Sequence, residues 1–111
     1  MDAQLKAKWV ETLRSGEFAQ TRGKLFRGEG YDYLPAGYCC LGVLAKIQGC
    51  ELVSENHKIF LNDKEVPNPQ GEVLPESLRG RMSAADMIFL ASKNDAGKSF
   101  DWLADYIEKN L

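Results

Sequence analysis

Two adjacent cysteines, Cys39 and Cys40, have the most obvious chemistry in this sequence, because a thiolate is a strong nucleophile. The pattern predicts that they stand at the start of a helix, where unpaired amide N–H groups and the helix dipole stabilise a thiolate. Cys39 falls on the polar side of this helix and Cys40 on the apolar side, so reactivity would belong to Cys39. His57, the one histidine of the chain, lies at the edge of a predicted hairpin and would be the base of a cysteine enzyme.

A structural interpretation of the same residues is stronger. Cysteine is among the most often buried residue types, and a single histidine beside a strand is usually a surface residue. A zinc site built from Cys39, Cys40, Cys50 and His57 lacks a CxxC pair and would need ligands from opposite sides of one helix. We therefore predict no catalytic residue, no metal site and no cofactor, and a cysteine-dependent enzyme is the least favoured alternative.

The stretch MIFLASKNDAGKSF, residues 87–100, has the order of a phosphate-binding P-loop, in which an apolar run leads to Gly97, Lys98 and Ser99 and then to a helix. The motif GxxxxGK[ST] requires a first glycine at the position that Ser92 occupies here. An inter-helix turn accounts for the residues better, because Gly97 can end one helix and Ser99 can cap the next. We therefore do not expect nucleotide hydrolysis.

Cations and aromatic side chains alternate in another segment, where Arg22, Lys24 and Arg27 precede Tyr31 and Tyr33. Base stacking combined with phosphate contact uses this combination of residues. Acidic residues among them weaken the patch, and aromatic side chains in a chain of this length are mostly needed for the core. A nucleotide or another phosphate-bearing ligand bound by these five residues is the first alternative function.

Two aromatic residues of the last predicted helix, Trp102 and Tyr106, lie on the side away from the buried stripe of Leu103 and Ile107. Large aromatic side chains outside the core indicate a second contact surface. We therefore predict an interface at Trp102 and Tyr106, and we expect the protein to form a homodimer.

The composition is that of an ordinary globular protein. The 111 residues form one predicted domain, 1–111, with 44% hydrophobic and 27% charged residues. A net charge of −2 excludes the strong positive field of non-specific nucleic-acid binding. The odd number of cysteines, three, favours reduced thiols. Neither a signal peptide nor an apolar stretch of about 18 residues is recognisable, so we expect a cytoplasmic protein without membrane contact.

Hydrophobic spacing predicts a compact α+β fold with about four helices and a small β-hairpin. Leu5, Trp9 and Leu13 mark the first helix, which ends at Gly16. Residues 38–49 are apolar over most of the helix circumference and should form a central, buried helix.

Turn and capping residues define the remaining elements. Residues 57–66 predict the hairpin, because β-favouring side chains flank Asn62-Asp63, which tolerate the left-handed conformation of a tight turn. The third helix is predicted to start after Ser83 and to be interrupted at 94–97, and the fourth to start after Ser99. Shorter elements are expected at two places, a strand at 24–26 and a helical turn at 75–78.

Five segments carry a family resemblance. They are WVETLRSGEF at 9–18, GYCCLGVL at 37–44, LP at 74–75, NDAGKSF at 94–100 and LADYI at 103–107. Together they resemble a family of short hypothetical proteins encoded by bacteriophages and prophages. Two features depart from that family: Ala45 stands where a further cysteine is often found, and the hairpin segment has no counterpart. The resemblance transfers no catalytic or binding residue, but it implies a phage setting, in which small accessory proteins commonly bind host components.

These observations favour a small non-enzymatic accessory protein of the phage type that binds a host protein and modulates or blocks host defence. The first alternative is a protein that binds and sequesters a small ligand or nucleotide. The second is the cysteine-dependent enzyme described above.

Overall fold

The structure is a computed structural model that describes residues 1–28, 36–55, 58–66 and 74–111. Four α-helices lie within these residues, at Ala3–Ser15 (α1), Cys40–Ile47 (α2), Ala84–Asp95 (α3) and Phe100–Asn110 (α4). Six short strands accompany them, at Ala19–Gln20 (β1), Phe26–Arg27 (β2), Gly37–Tyr38 (β3), Leu52–Glu55 (β4), Lys58–Leu61 (β5) and Lys64–Glu65 (β6). The predicted α+β class is confirmed.

Helix α1 begins and ends where its sequence dictates. The Asp2 side chain accepts a hydrogen bond from the Leu5 backbone amide (2.8 Å), and Gly16 ends the helix in the left-handed conformation. Trp9 and Leu13 of the predicted stripe are buried. The indole Nε1 of Trp9 donates to the Cys40 carbonyl oxygen (2.9 Å), so the first helix is tied directly to the second.

Helix α2 is the central, buried helix, as predicted. Every residue from Cys40 to Ala45 is buried, and Gly49 follows the helix with a positive φ of 86°. The expected polar side of this helix is wrong: Cys39 and Gly42 are buried and only Lys46 of that side is exposed. A Cβ on Gly42 would collide with the Leu25 carbonyl oxygen, because the chain before β2 crosses the helix there.

Two small sheets flank the helices. The predicted hairpin is confirmed in β5 and β6, where Phe60 pairs with Glu65 and Leu61 with Lys64. Asn62 and Asp63 form the turn with φ of 50° and 68°. His57, at the start of the predicted hairpin, lies outside the described residues.

Strand pairing adds elements that the sequence did not predict. Strand β4 pairs antiparallel with β5 and completes one three-stranded sheet. In the other sheet β3 lies between β1, which runs parallel to it, and β2. The strand expected at 24–26 is present as β2, at Phe26–Arg27.

Helices α3 and α4 are both capped by serine, as predicted. The Ser83 hydroxyl accepts from the Asp86 amide (3.1 Å) and the Ser99 hydroxyl from the Trp102 amide (3.1 Å). The interruption predicted at 94–97 is wrong at its start, because α3 continues to Asp95. The helical turn expected at 75–78 is a 3₁₀ helix, Glu76–Leu78. Among the described residues, none of the helices has the length and apolarity needed to cross a bilayer.

Candidate functional site

The two adjacent cysteines are packed inside the protein. Cys39, directly before α2, is 5% exposed, and Cys40 is fully buried. Burial raises the pKa of Cys39 to about 11 and raises the pKa of Cys40 well above its ordinary value, because a thiolate loses its hydration there. Hydrogen bonds from the amides of Leu41 and Gly42 act in the opposite direction on Cys39 and are weaker. Both sulfurs are therefore neutral thiols near pH 7, and the activated thiolate considered for Cys39 does not form.

A buried asparagine joins three parts of the chain at this point. Asn94, in the last turn of α3, is fully buried. Its Oδ1 accepts from the Cys40 amide (3.3 Å) and from Gln20 Nε2 (2.8 Å), and its Nδ2 donates to the Thr21 carbonyl oxygen (2.8 Å). Every polar group of this side chain therefore has a partner, which is the condition for burying an amide without a large penalty.

The sequence pattern predicts Asn94 in a turn and does not predict this role. A signal was present, since Asn94 follows Met87 by seven residues and Leu90 by four, which places it on the buried side of the same helix. A polar residue in line with a buried stripe indicates a side chain that is hydrogen bonded inside the core.

The residues that resemble a P-loop form a turn that is docked onto the segment after β1. Asp95 Oδ1 accepts from the Gly23 amide (2.7 Å), and Gln20 Nε2 donates to the Lys98 carbonyl oxygen (2.8 Å). Gly97 has a φ of 103°, and Ser99 caps α4. The predicted inter-helix turn is confirmed.

The structure describes the three cations of the predicted patch. Arg22 Nη2 lies 3.4 Å from the Gly97 carbonyl oxygen, at the turn between α3 and α4. Arg27 Nη1 lies 3.5 Å from Thr21 Oγ1, and a Cβ on Gly37 would stand only 2.8 Å from Arg27 Nη2. Lys24 is half-buried. Tyr31 and Tyr33, the aromatic members of this prediction, lie outside the described residues.

Two other aromatic residues near these cations serve the core. The rings of Phe18 and Phe26 pack on Tyr38, with centroid separations of 4.9 and 5.1 Å. Phe26 is buried, and Phe18 and Tyr38 pack against the hydrophobic core. Aromatic side chains of this segment that the structure describes are therefore packing residues and not stacking platforms.

Trp102 and Tyr106 form a surface row with a residue of the neighbouring helix. The Tyr106 ring stacks on Phe89 of α3 (centroids 4.7 Å apart, planes 30° apart) and on Trp102 (5.8 Å, 10°). Lys93 Nζ lies 5.4 Å from the centroid of the Phe89 ring, and Lys98 Nζ lies 5.0 Å from that of Trp102. We call this set of three rings and two lysines the aromatic row.

The aromatic row is accessible from outside. Its three rings are half-buried, and Ile88, next to Phe89, is 42% exposed. Other sides of α4 are anchored to the rest of the molecule, since Leu103 and Ile107 are fully buried and Asp105 pairs with Arg14 of α1 (2.6 Å). Helix α4 therefore holds Trp102 and Tyr106 half-buried, partly at the surface and partly against the hydrophobic core.

Comparisons with known proteins give one match. No curated protein and no solved structure matches the chain. The family described as domain of unknown function DUF8296 matches residues 1–66, which include α1, both small sheets and the buried cysteines. The aromatic row lies after the matched residues. Since the match covers more than half of the 111 residues, the chain belongs to the DUF8296 family.

Proposed function

We propose that this protein is a non-enzymatic accessory protein that binds another protein through the aromatic row. The observation that carries the proposal is the stacking of Trp102 and Tyr106 with Phe89 at the surface of two packed helices. Tryptophan and tyrosine are enriched among residues that dominate binding energy, because they offer a large rigid area and a polar edge. The helices hold these rings in place before binding, which lowers the entropy lost on association.

The partner that we propose is a host protein, and the effect is to modulate or block host defence. The resemblance of five segments to short phage-encoded proteins supports this part of the proposal. A phage setting makes a component of the infected cell the partner that such a protein meets.

The burial of the cysteines favours binding over catalysis by a thiol. A cysteine nucleophile must reach its substrate and must ionise near neutral pH. Cys39 and Cys40 are buried, and burial raises the pKa of both. The ligand-binding alternative depends in part on Tyr31 and Tyr33, and it stays a prediction.

Affinity capture with matched variants tests the proposal. The immobilised wild-type chain, Trp102→Ala, Tyr106→Ala and Val53→Ala are each incubated with a host-cell lysate, and bound proteins are identified by mass spectrometry. Val53 is 38% exposed on β4 and serves as an apolar surface control. A protein bound by the wild type and by Val53→Ala is then purified, and its affinity is measured by calorimetry. We expect Trp102→Ala to weaken that affinity by about tenfold or more.

Three outcomes would contradict the proposal. Capture that Trp102→Ala and Tyr106→Ala leave unchanged would place the contact elsewhere on the protein. A thermal shift of the wild type with a nucleotide, lost in Arg22→Ala, would favour the ligand-binding alternative. Sedimentation that shows a dimer of the wild type and a monomer of Trp102→Ala would mean that the aromatic row joins two copies of this chain.

A further inference from the structure

The surface around the aromatic row carries positive charge in a protein whose net charge is −2. Lys93 and Lys98 lie over the Phe89 and Trp102 rings. Lys109 follows Trp102 by seven residues, so it lies on the same side of α4 as that ring, and it is exposed. Two lysines therefore contact the rings, and Lys109 adds a third positive charge on that side of α4.

The carboxylates of α3 and α4 lie mostly elsewhere. Asp95 accepts from the Gly23 amide (2.7 Å), and Asp105 pairs with Arg14 (2.6 Å). Asp101 directly precedes Trp102 and is therefore turned by about 100° around the helix from it. Asp86, three positions before Phe89, and Asp105, three positions after Trp102, share the side of the rings; Asp86 is half-buried, and Asp105 is held by Arg14.

The lysines of the aromatic row have no carboxylate of the described chain as a partner. Ion pairs among the described residues join Arg14 to Asp105 and Glu108, and Lys58 to Glu65. Lys93 and Lys98 take part in none of them. Among the described residues, their ammonium groups therefore stand beside aromatic rings without an ion-pair partner.

We infer that the partner of this surface is an acidic protein segment, an inference that rests on the proposed function. Carboxylates of the partner would pair with Lys93 and Lys98, and its apolar side chains would pack against the half-buried Trp102 and Tyr106 rings. Such pairs become stronger when the contact excludes water from around them.

The geometry of the rings favours a protein over a nucleic acid. Bases bind to aromatic side chains by stacking on a ring face. In this row each ring already stacks on another ring, and the Phe89 and Trp102 rings also have a lysine over them. A base would therefore have to displace these contacts, whereas aliphatic and aromatic side chains of a protein can pack beside the rings without stacking on them.

Selection from a displayed library of random dodecapeptides tests the inference. The library is selected on the immobilised wild-type chain, and the most enriched peptide is synthesised with a fluorescent label. Its affinity is then measured by fluorescence anisotropy for the wild type, Trp102→Ala and two doubly charge-reversed variants. One carries Lys93→Glu with Lys98→Glu, and the control carries Lys8→Glu with Lys64→Glu, at exposed positions of α1 and β6. Both pairs change the net charge equally. A labelled oligothymidine is measured in parallel.

We expect enriched peptides that combine several Asp or Glu residues with an aromatic or aliphatic residue. The change at Lys93 and Lys98 should weaken binding by about tenfold or more, the control pair by much less, and binding should weaken as ionic strength rises. Enriched peptides that are neutral or basic would overturn the inference, and so would equal effects of the two charge reversals. In either case, loss of binding in Trp102→Ala would still support the proposed function. Oligothymidine binding that depends on Trp102 would overturn both, as would the absence of any enriched peptide.

Discussion

The Asn94 side chain and the Cys40 backbone amide are hydrogen bonded across 54 positions of sequence, at 3.3 Å between Oδ1 and N. This bond supplies a partner for an amide at the first residue of α2, where an intrahelical acceptor is lacking. Asn94 also hydrogen bonds to Gln20 and Thr21. One buried side-chain amide therefore connects the start of α2, the end of α3 and the segment at β1.

Replacing Asn94 is therefore expected to destabilise the protein strongly. Asn94→Ala leaves the Cys40 amide and the Thr21 carbonyl buried without this partner and opens a small cavity, at a cost of about 2 to 4 kcal/mol in the free energy of unfolding. Urea denaturation followed by circular dichroism measures this change. Ser92→Ala, at an exposed position of the same helix, should stay within about 0.5 kcal/mol of the wild type. A similar small effect for Asn94→Ala would show that the network contributes little.

Gly42 should reverse the usual effect of a Gly to Ala change in a helix. Such a change normally stabilises a helix interior by about 1 kcal/mol. At Gly42 the added Cβ would collide with the Leu25 carbonyl oxygen, which belongs to the backbone and cannot move aside cheaply. We expect Gly42→Ala to lower the free energy of unfolding by about 2 kcal/mol or more.

The control for this change is Gly16→Ala. Position 16 has a positive φ of 77° and open space around its added Cβ, so only the backbone conformation is penalised, by about 1 kcal/mol. A stability of Gly42→Ala equal to or above that of the wild type, measured by urea denaturation, would show that α2 and the Leu25 backbone separate without cost.

Local signals explain which parts of the fold were predictable. The caps Ser83 and Ser99, the turn Asn62-Asp63 and the stripe containing Trp9 each involve neighbours in sequence, and all of them are confirmed. Strands β1 and β3 have two residues each and pair in parallel across a sequence gap. A strand of two residues is too short to show the alternation of apolar and polar side chains that marks a strand, so the sequence gives no signal for this pairing.

Cys39 and Asn94 show why two structural predictions failed. A helical projection placed Cys39 on a polar side, but the Leu25 carbonyl oxygen accepts from the Cys39 amide (3.0 Å) and the chain around Leu25 covers that side. Asn94 has the propensity of a turn residue, and tertiary hydrogen bonds override it. In both cases the deciding contact comes from a segment distant in sequence.

The unfolding free energy should fall as the pH rises through the alkaline range, because the Cys39 thiol is neutral in the folded protein. Its pKa is about 11 in the fold and about 9 in an exposed thiol, so the folded state holds a proton that the unfolded state releases between these values. The stabilisation is complete below pH about 9 and is lost as the pH approaches about 11, by about 3 kcal/mol.

Urea denaturation at pH values from 8 to 11, about one unit apart, measures this loss in the wild type and in Cys39→Ala. The variant lacks the packing of the sulfur and should be less stable near pH 8, and its free energy of unfolding should decline less steeply with pH because one buried thiol is gone. Parallel declines in the two proteins would show that other groups cause the alkaline loss.

Native thiol labelling offers the most direct check on the role of the cysteines. Cys39, Cys40 and Cys50 are all buried, so they should react with Ellman's reagent at pH 7 only when the structure opens. We expect labelling of the folded protein to be about a hundredfold slower, or more, than labelling in denaturant. Val53→Cys adds a thiol at a position that is 38% exposed and should react rapidly in the folded protein, which controls for the reagent. One fast-reacting thiol per folded wild-type chain would contradict the packing role of these sulfurs and would restore the cysteine enzyme as a candidate.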